Sequence, residues 1–447
     1  MDESVAPKIY TCYKCGLESA VERAFARERA FPGARVKFLC PKCQVKRHQQ
    51  STLIFYVLIP ALGIGLTLLD IKPLASVARI LLELTTMMVL VIPLIFVHEL
   101  AHTAVAALTG LRVFAVLLGS GRSLVAFRWL GINWNVRVLP VGGATLISGP
   151  RSRGYRIRLF FTYLAGPLTH LALMAGFFFL MVILYLGFQG EWLWRMAING
   201  MALNGILFLV NIFPKKFSSN AGHIGTDGWQ LLHLFSMSEK ELNERDATYY
   251  ILETVDAIQQ SKMDRAKQWI ERGLTLHPQH PMMVNVLGFF QVHAREYAAA
   301  RETFLQVLSA PGELKPEVRY MAMNNIAFSN MVLNDVSLLP QADEYSAQAY
   351  QNMPWEPLIA GTRGAVLVRM GRVEDGMPLL RTAFASNPDK KGKAAEACFL
   401  AEAEWRRGNM TEARRWAGTA RGLDPACPYL PETERRLGEP APEKRPQ

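Results

Sequence analysis

The sequence predicts a mostly α-helical protein. Its parts are a polytopic membrane core of about four spans with a membrane-associated β segment, a small N-terminal cysteine module and a C-terminal α-solenoid. Three observations predict this. Half of the 447 residues are hydrophobic, and they gather in the first half of the chain. Two Cys-x-x-Cys knuckles stand near the start. A helical pattern closed by prolines (Pro278, Pro311, Pro354, Pro388 and Pro425) repeats through the second half.

The first element is residues 1–50. Cys12-x-x-Cys15 and Cys40-x-x-Cys43 are separated by 24 residues. Four thiolates so spaced suit a closed tetrahedral zinc site, and Gly16 and the Pro41-Lys42 turn fit the tight loops of a zinc ribbon. In a cytoplasmic segment metal is favoured over a disulfide. With no open position, this zinc would be structural and the module would serve recruitment or regulation. Arg23, Arg27, Arg29, Arg35 and Lys37 read as a solvated, membrane-facing surface, and nucleic acid is not the expected partner. The polar, charged start has no short apolar core, so the first span is expected to be an uncleaved anchor. Cys398 and Cys427 read as isolated thiols.

The second element is residues 51–235. Apolar stretches at 53–69, 84–108, 159–188 and 196–213 read as four spans, the first and fourth short against the roughly 20 residues a bilayer core requires. Pro60, Pro93 and Pro167 lie within them, where proline is tolerated. Charged residues are only 19% of the chain, and the formal net charge is +11. Lys46, Arg47, the arginines from Arg112 to Arg158, Lys215 and Lys216 fall on one side if there are four crossings. That places both termini and the arginine-rich loop in the cytoplasm. The expected location is a bacterial cytoplasmic membrane, with the lipid bilayer as a partner.

His98-Glu99-Leu100-Ala101-His102 lies in an apolar stretch, 89–108, with no other charged residue. On a helix, residues four apart share a face, so both imidazoles can reach one metal. Zinc accepts neutral imidazole, and a catalytic site keeps one position for water, whose pKa the metal lowers. Glu99 can take that water's proton and pass it to the leaving amine. Ionisable groups in lipid are costly, about 2.5–3.5 kcal/mol each on insertion scales, and such groups at metal-ligand spacing point to a site. A third ligand is needed from another span. By spacing alone both Asp227, in Thr226-Asp227-Gly228, and His223 are candidates, and an Asp-Gly pair is also an ordinary turn.

Several neighbouring motifs stand in a fixed order. They are the segment from Pro93 to Gly110, Gly119-Ser120-Gly121 followed by Leu139-Pro140-Val141-Gly142-Gly143, Leu164-Ala165-Gly166-Pro167-Leu168, Asn211-Ile212-Phe213-Pro214, and Asp227-Gly228. Together they resemble the site-2 protease family of intramembrane zinc metalloproteases, over about residues 84–232. The resemblance implies cleavage of transmembrane or membrane-proximal segments of a membrane protein substrate. It implies Asp227, rather than His223, as third ligand to a catalytic zinc. It also suggests that Asn211, Gly142 and Gly143 help hold an extended substrate strand. One departure stands out: residues 215–226 lengthen the gap before Asp227 by about eight residues, and Thr226 stands where an apolar residue is usual. The insert would form a gate at the cytoplasmic face or displace Asp227 from the metal. Strand addition onto an edge near 136–147 would expose a substrate's carbonyls, and the alternation in 133–138 fits such a strand.

The third element is residues 240–435, with a Pro- and charge-rich tail at 436–447 expected to be disordered. Small residues recur ahead of apolar ones: Ala266 with Ile270, Ala300 with Phe304, Gly376 with Leu380, Ala413 with Ala417. Gly371 and Gly408 fall in turns between helices. The pattern resembles tetratricopeptide repeats, some five units over 249–430, and implies a concave surface for protein or peptide partners. Two other functions compete with proteolysis. One is a catalytically silent membrane scaffold, against which the intact Glu99 argues. The other is a transporter, against which the few spans and the lack of an inverted repeat argue.

Overall fold

A computed structural model describes residues 9–19, 25–28, 37–41, 43–44, 46–47, 50, 54–69, 72–187, 190–219, 222–310, 314–387 and 389–438. The architecture is mostly helical, with small antiparallel sheets. Its contacts divide it into two compact units, Tyr13–Cys15 with Arg23–Leu252, and Met1–Cys12 with Gly16–Glu22 and Glu253–Gln447. Two short antiparallel pairs stand near the N-terminus, β1 (Tyr10–Thr11) with β2 (Glu18–Ser19) and β3 (Ala26–Glu28) with β4 (Lys37–Leu39).

In the first unit, a π-helical turn Ile54–Leu58 runs into α1, Ile59–Leu68. Three helices follow: α2 (Ala75–Leu108), α3 (Tyr155–Gly187) and α4 (Glu191–Ile212). Only these three, over Lys72–Leu108, Tyr155–Gly187 and Trp192–Ile212, are long and apolar enough to cross a membrane among the described residues. The expected first span, 53–69, is described as a shorter apolar helix, Tyr56–Leu68. Its 13 residues rise about 20 Å against a hydrocarbon core of about 30 Å. Helix α2 begins earlier than the apolar stretch suggested and takes in Glu83. That carboxylate is paired 3.1 Å from Arg195 of α4 and also accepts from Asn199, so its charge is answered between helices.

Between α2 and α3 lie β5 (Arg112–Trp129) and β6 (Ile132–Ser148), turned by Leu130 and Gly131, both at positive φ. Both strands bend, and the register places residues 115–118 between two partners. Leu118 faces Gly143, and Arg112 faces Ser148, on one side; Ala115 faces Asn133, and Leu118 faces Val136, on the other. Residues 132–137 pair in turn with 123–129. Residues 133–136 are thus paired on both sides, and within the expected accepting edge, 136–147, the open side falls at 143–147 and runs on to Ser148. The 215–226 insert folds back as β7 (Lys216–Ser219) against β8 (Gly222–Gly225), ahead of α5 (Asp227–Ser236).

The second unit is a stack of helical hairpins. Helix α6 (Glu239–Gln259), whose C-terminal end belongs to it, pairs with α7 (Met263–Leu276). Next come α8 (Pro281–His293) with α9 (Tyr297–Ser309), α10 (Pro316–Val332) with α11 (Leu339–Asn352), α12 (Pro357–Arg369) with α13 (Val373–Ser386), and α14 (Lys390–Arg406) with α15 (Met410–Leu423). A closing helix, α16, spans Leu430–Leu437. Ala266, Ala300, Ala342, Gly376 and Ala413 are buried where the paired helices approach. A Cβ at Gly288 would meet the Phe304 ring at 2.8 Å. Each turn within a hairpin holds one residue in the left-handed region: Ser261, Arg295, Asn334, Gly371 and Gly408. Four of the five turns carry the paired backbone bonds of a Schellman motif, as in Arg295 N–H to Val292 and Glu296 N–H to Gln291. The expected disordered tail overlaps α16 at its first residues, and 439–447 lie outside the described residues. Cys398 and Cys427 are not isolated: both are buried, with sulfurs 3.9 Å apart.

Candidate metal centre

His98 and His102 project from one face of α2 and are 6% and 5% exposed. Their Nε2 atoms lie 3.1 Å apart. Asp227, at the start of α5, places Oδ2 3.2 Å from His98 Nε2 and Oδ1 3.3 Å from His102 Nε2. One ligand atom from each residue falls within 4.8 Å of the others. His102 directs Nδ1 at the Thr162 carbonyl, 2.6 Å away, which fixes its tautomer and leaves a lone pair on Nε2. Two imidazole nitrogens and a carboxylate on one point form a donor set that fits zinc with a position to spare.

The insert does not displace Asp227, because it closes on itself. Thr226 N–H donates to Lys215 O at 2.9 Å, and the Thr226 hydroxyl donates to Phe213 O at 2.7 Å. The same oxygen accepts from Trp229 N–H, which makes Thr226 the N-cap of α5. Gly228 lies against the Ile212 carbonyl so closely that a Cβ would overlap it, and the start of α5 is thereby seated on the end of α4. A threonine therefore stands at 226 to tie the returning chain. His223 lies in β8, and its side chain is outside the described residues.

Glu99 is buried beside the pair. Its Oε2 accepts from the Thr145 hydroxyl of β6 at 2.5 Å, and a Cβ at Gly143 would overlap its carboxylate. Gly142 turns the strand at φ +71°. The strand edge and the carboxylate therefore adjoin. Asn211, on the last turn of α4, donates to its own helix at Leu207 O, 2.9 Å away, and no hydrogen bond joins it to His98, His102 or Asp227 among the described residues. On α3, a Cβ at Gly166 would overlap the His98 and His102 rings. Sequence reasoning missed Thr145, Thr162, His170 and Asn204. The last two had a readable signal, since polar side chains within apolar spans are costly. At the N-terminus Cys12, Cys15, Cys40 and Cys43 form a second cluster of ligand atoms, with Cys15 and Cys40 sulfurs 3.5 Å apart.

Residues 86–340 match the sequence profile of peptidase family M50, the site-2 protease family.

The chain belongs to peptidase family M50.

That makes it a member of a family of membrane-embedded metalloproteases, in agreement with its three apolar helices. The family match ends at residue 340, within the helical repeats. No curated protein matched the chain significantly. Solved structures of TPR proteins and of an APC/C complex align with parts of the chain. A thermophilic TPR protein of Thermus thermophilus is 19% identical over 43% of this chain and 100% of its own, with a TM-score of 0.34. YrrB, a TPR protein with an unusual peptide-binding site, is 16% identical over 44% of this chain and 95% of its own, at 0.29. A chain of the APC/C hetero-tetramer Cut9-Hcn1 is 12% identical over 62% of this chain and 56% of its own, at 0.33. At such scores the likeness adds nothing to what the helical hairpins show by themselves.

Proposed function

We propose that this M50 member is an intramembrane zinc endopeptidase that cleaves transmembrane or membrane-proximal segments of membrane proteins. The observation that carries the reading is the convergence of His98, His102 and Asp227, from segments far apart in sequence, with Glu99 beside them. These three would hold the catalytic zinc. When bound, zinc supplies Lewis-acid polarisation and lowers the pKa of water. Glu99 accepts a proton from the attacking water and returns it to the leaving amine. Thr145 donates to Glu99 and keeps the carboxylate turned to the site. Residues 143–148, the sheet edge beside Glu99, receive the substrate as an added strand, which frees its carbonyls from helical hydrogen bonds. Gly142 and Gly143 let that strand pass the carboxylate, while Asn211 serves the substrate from the end of α4. The β7–β8 hairpin gates the cytoplasmic face.

The domain reading is an N-terminal zinc ribbon at 1–50, holding a second, structural zinc on its four cysteines, a protease core at 51–235 and a repeat domain at 240–435. The repeats bind protein or peptide partners, the substrate's cytoplasmic tail among them. Both termini are cytoplasmic in a bacterial membrane. This needs an even number of crossings, so the short helix around α1 completes the fourth with local thinning or tilt of the bilayer. The test is Glu99→Gln compared with wild type in cells, reading membrane-protein fragments. Zinc content should be kept and cleavage fragments lost; unchanged processing would refute the enzyme and leave the scaffold.

A further inference from the structure

His98 and His102 belong to one ligand set yet are held in different ways. His102 is fixed by the Thr162 carbonyl at Nδ1. His98 Nδ1 is buried with no hydrogen-bond partner among the described residues. A ligating histidine ordinarily gives its second nitrogen to a neighbouring acceptor, which sets the ring's direction. The His98 ring is instead confined by two others. It meets His102 edge-on, with centroids 4.7 Å apart at 82°, and lies against the face of His170 at 4.8 Å and 29°.

His170 is itself locked in place. It is 1% exposed, and its Nδ1 lies 2.9 Å from Asn204 Oδ1 on α4. Asn204, fully buried, donates its amide nitrogen to the Gly200 carbonyl at 2.8 Å. Its oxygen can only accept, so His170 carries its proton on Nδ1. Gly166 and His170 are four residues apart and share one face of α3. The glycine leaves room for the two ligand nitrogens, and the ring one turn later closes over His98. A chain of contacts thus runs from α4 through α3 to the metal-facing side of α2.

We propose that His170, locked by Asn204, is a positioning residue that replaces by ring stacking the hydrogen bond His98 lacks, and so aims His98 Nε2 at the metal. This rests on the zinc reading above. A flat ring at 170 is what matters, and the imidazole itself is dispensable as long as the ring is kept. The test uses full-length protein in detergent with cobalt(II) as probe. Cobalt bound by nitrogen and oxygen shows visible d–d bands without the sulfur charge-transfer absorption of a four-thiolate site, so the two sites are read apart. His170→Ala should weaken cobalt at the nitrogen–oxygen site by about 10–100-fold and change its d–d envelope. His170→Phe, which keeps the ring, should stay within about threefold of wild type. Binding by His170→Ala as tight as wild type overturns the proposal, and so does a Phe variant as weak as the Ala one. If His170→Ala does not fold, the Phe comparison alone decides: a wild-type envelope upholds stacking and a tenfold loss rejects it. Wild type lacking nitrogen–oxygen bands would overturn the zinc reading itself, and this inference with it.

Discussion

Substituting Gly166→Ala adds one methyl group to α3, and helix propensity alone makes it favourable by about 1 kcal/mol. The surroundings reverse the sign. An ideal Cβ at 166 would stand 2.5 Å from both Cε1 and Nε2 of His98, and closer still to His102 Nε2. Carbon contacts settle near 3.5 Å, so the rings or the helix must retreat by about 1 Å. A metal site tolerates only about 0.2 Å in its ligand distances, so a shift several times larger forfeits the geometry. The expected loss of zinc affinity is at least about 100-fold, or roughly 3 kcal/mol, while the helix is kept. The assay is zinc per chain after exhaustive dialysis against a chelator, alongside far-ultraviolet circular dichroism and cleavage of a membrane substrate. Zinc should fall by one equivalent, with helicity unchanged and cleavage abolished. Full zinc and full cleavage in Gly166→Ala would refute the placement of α3 against the two histidines.

Three further expectations concern the other parts of the chain. Asp227→Ala should cost the same zinc equivalent as His98→Ala, and their combination no more than either, because on the proposed reading the three residues would share one ion; separate equivalents lost in chelator titrations would contradict this. Glu402 is buried and faces Arg369 at 2.8 Å, Arg406 at 3.1 Å and Arg436 at 2.5 Å; Arg436 keeps Glu432, but Glu402→Ala takes the carboxylate from Arg369 and Arg406 and should destabilise the repeats by about 3–5 kcal/mol in urea unfolding. Burial pushes the Glu396 carboxyl up to about 7, against the hydrogen bond from Asn387. A carboxyl raised in the folded state binds its proton more tightly there, so its contribution is present below about pH 4.5 and is lost as pH rises through 7. Wild-type repeats should therefore lose on the order of 3 kcal/mol between those limits relative to Glu396→Gln, which has no such slope; parallel stability curves would refute it.

The amino-acid sequence by itself determined the chemistry and the periodicities. Histidines four apart in an apolar stretch share a face on any helix, and four cysteines in two knuckles converge on any compact ribbon. Prolines and small residues at repeat spacing made helical hairpins, because only small side chains let the paired helices approach. The left-handed turns were legible only where glycine marked them, at Gly371 and Gly408; Ser261, Arg295 and Asn334 take the same conformation under the pull of the surrounding helices. Tertiary structure decided what depends on distance through space. It folded the insert into a hairpin so that Asp227 returns to the histidines, which no gap length could reveal. It paired 133–136 on both sides and placed the open part of the expected edge at 143–148, since register is set by which faces pack on α2. It made three of the apolar stretches long helices among the described residues, because helix length depends on where the chain turns as well as on where it is apolar. It also set His170 over His98, a contact between helices that share no sequence pattern and meet only because a glycine lets them.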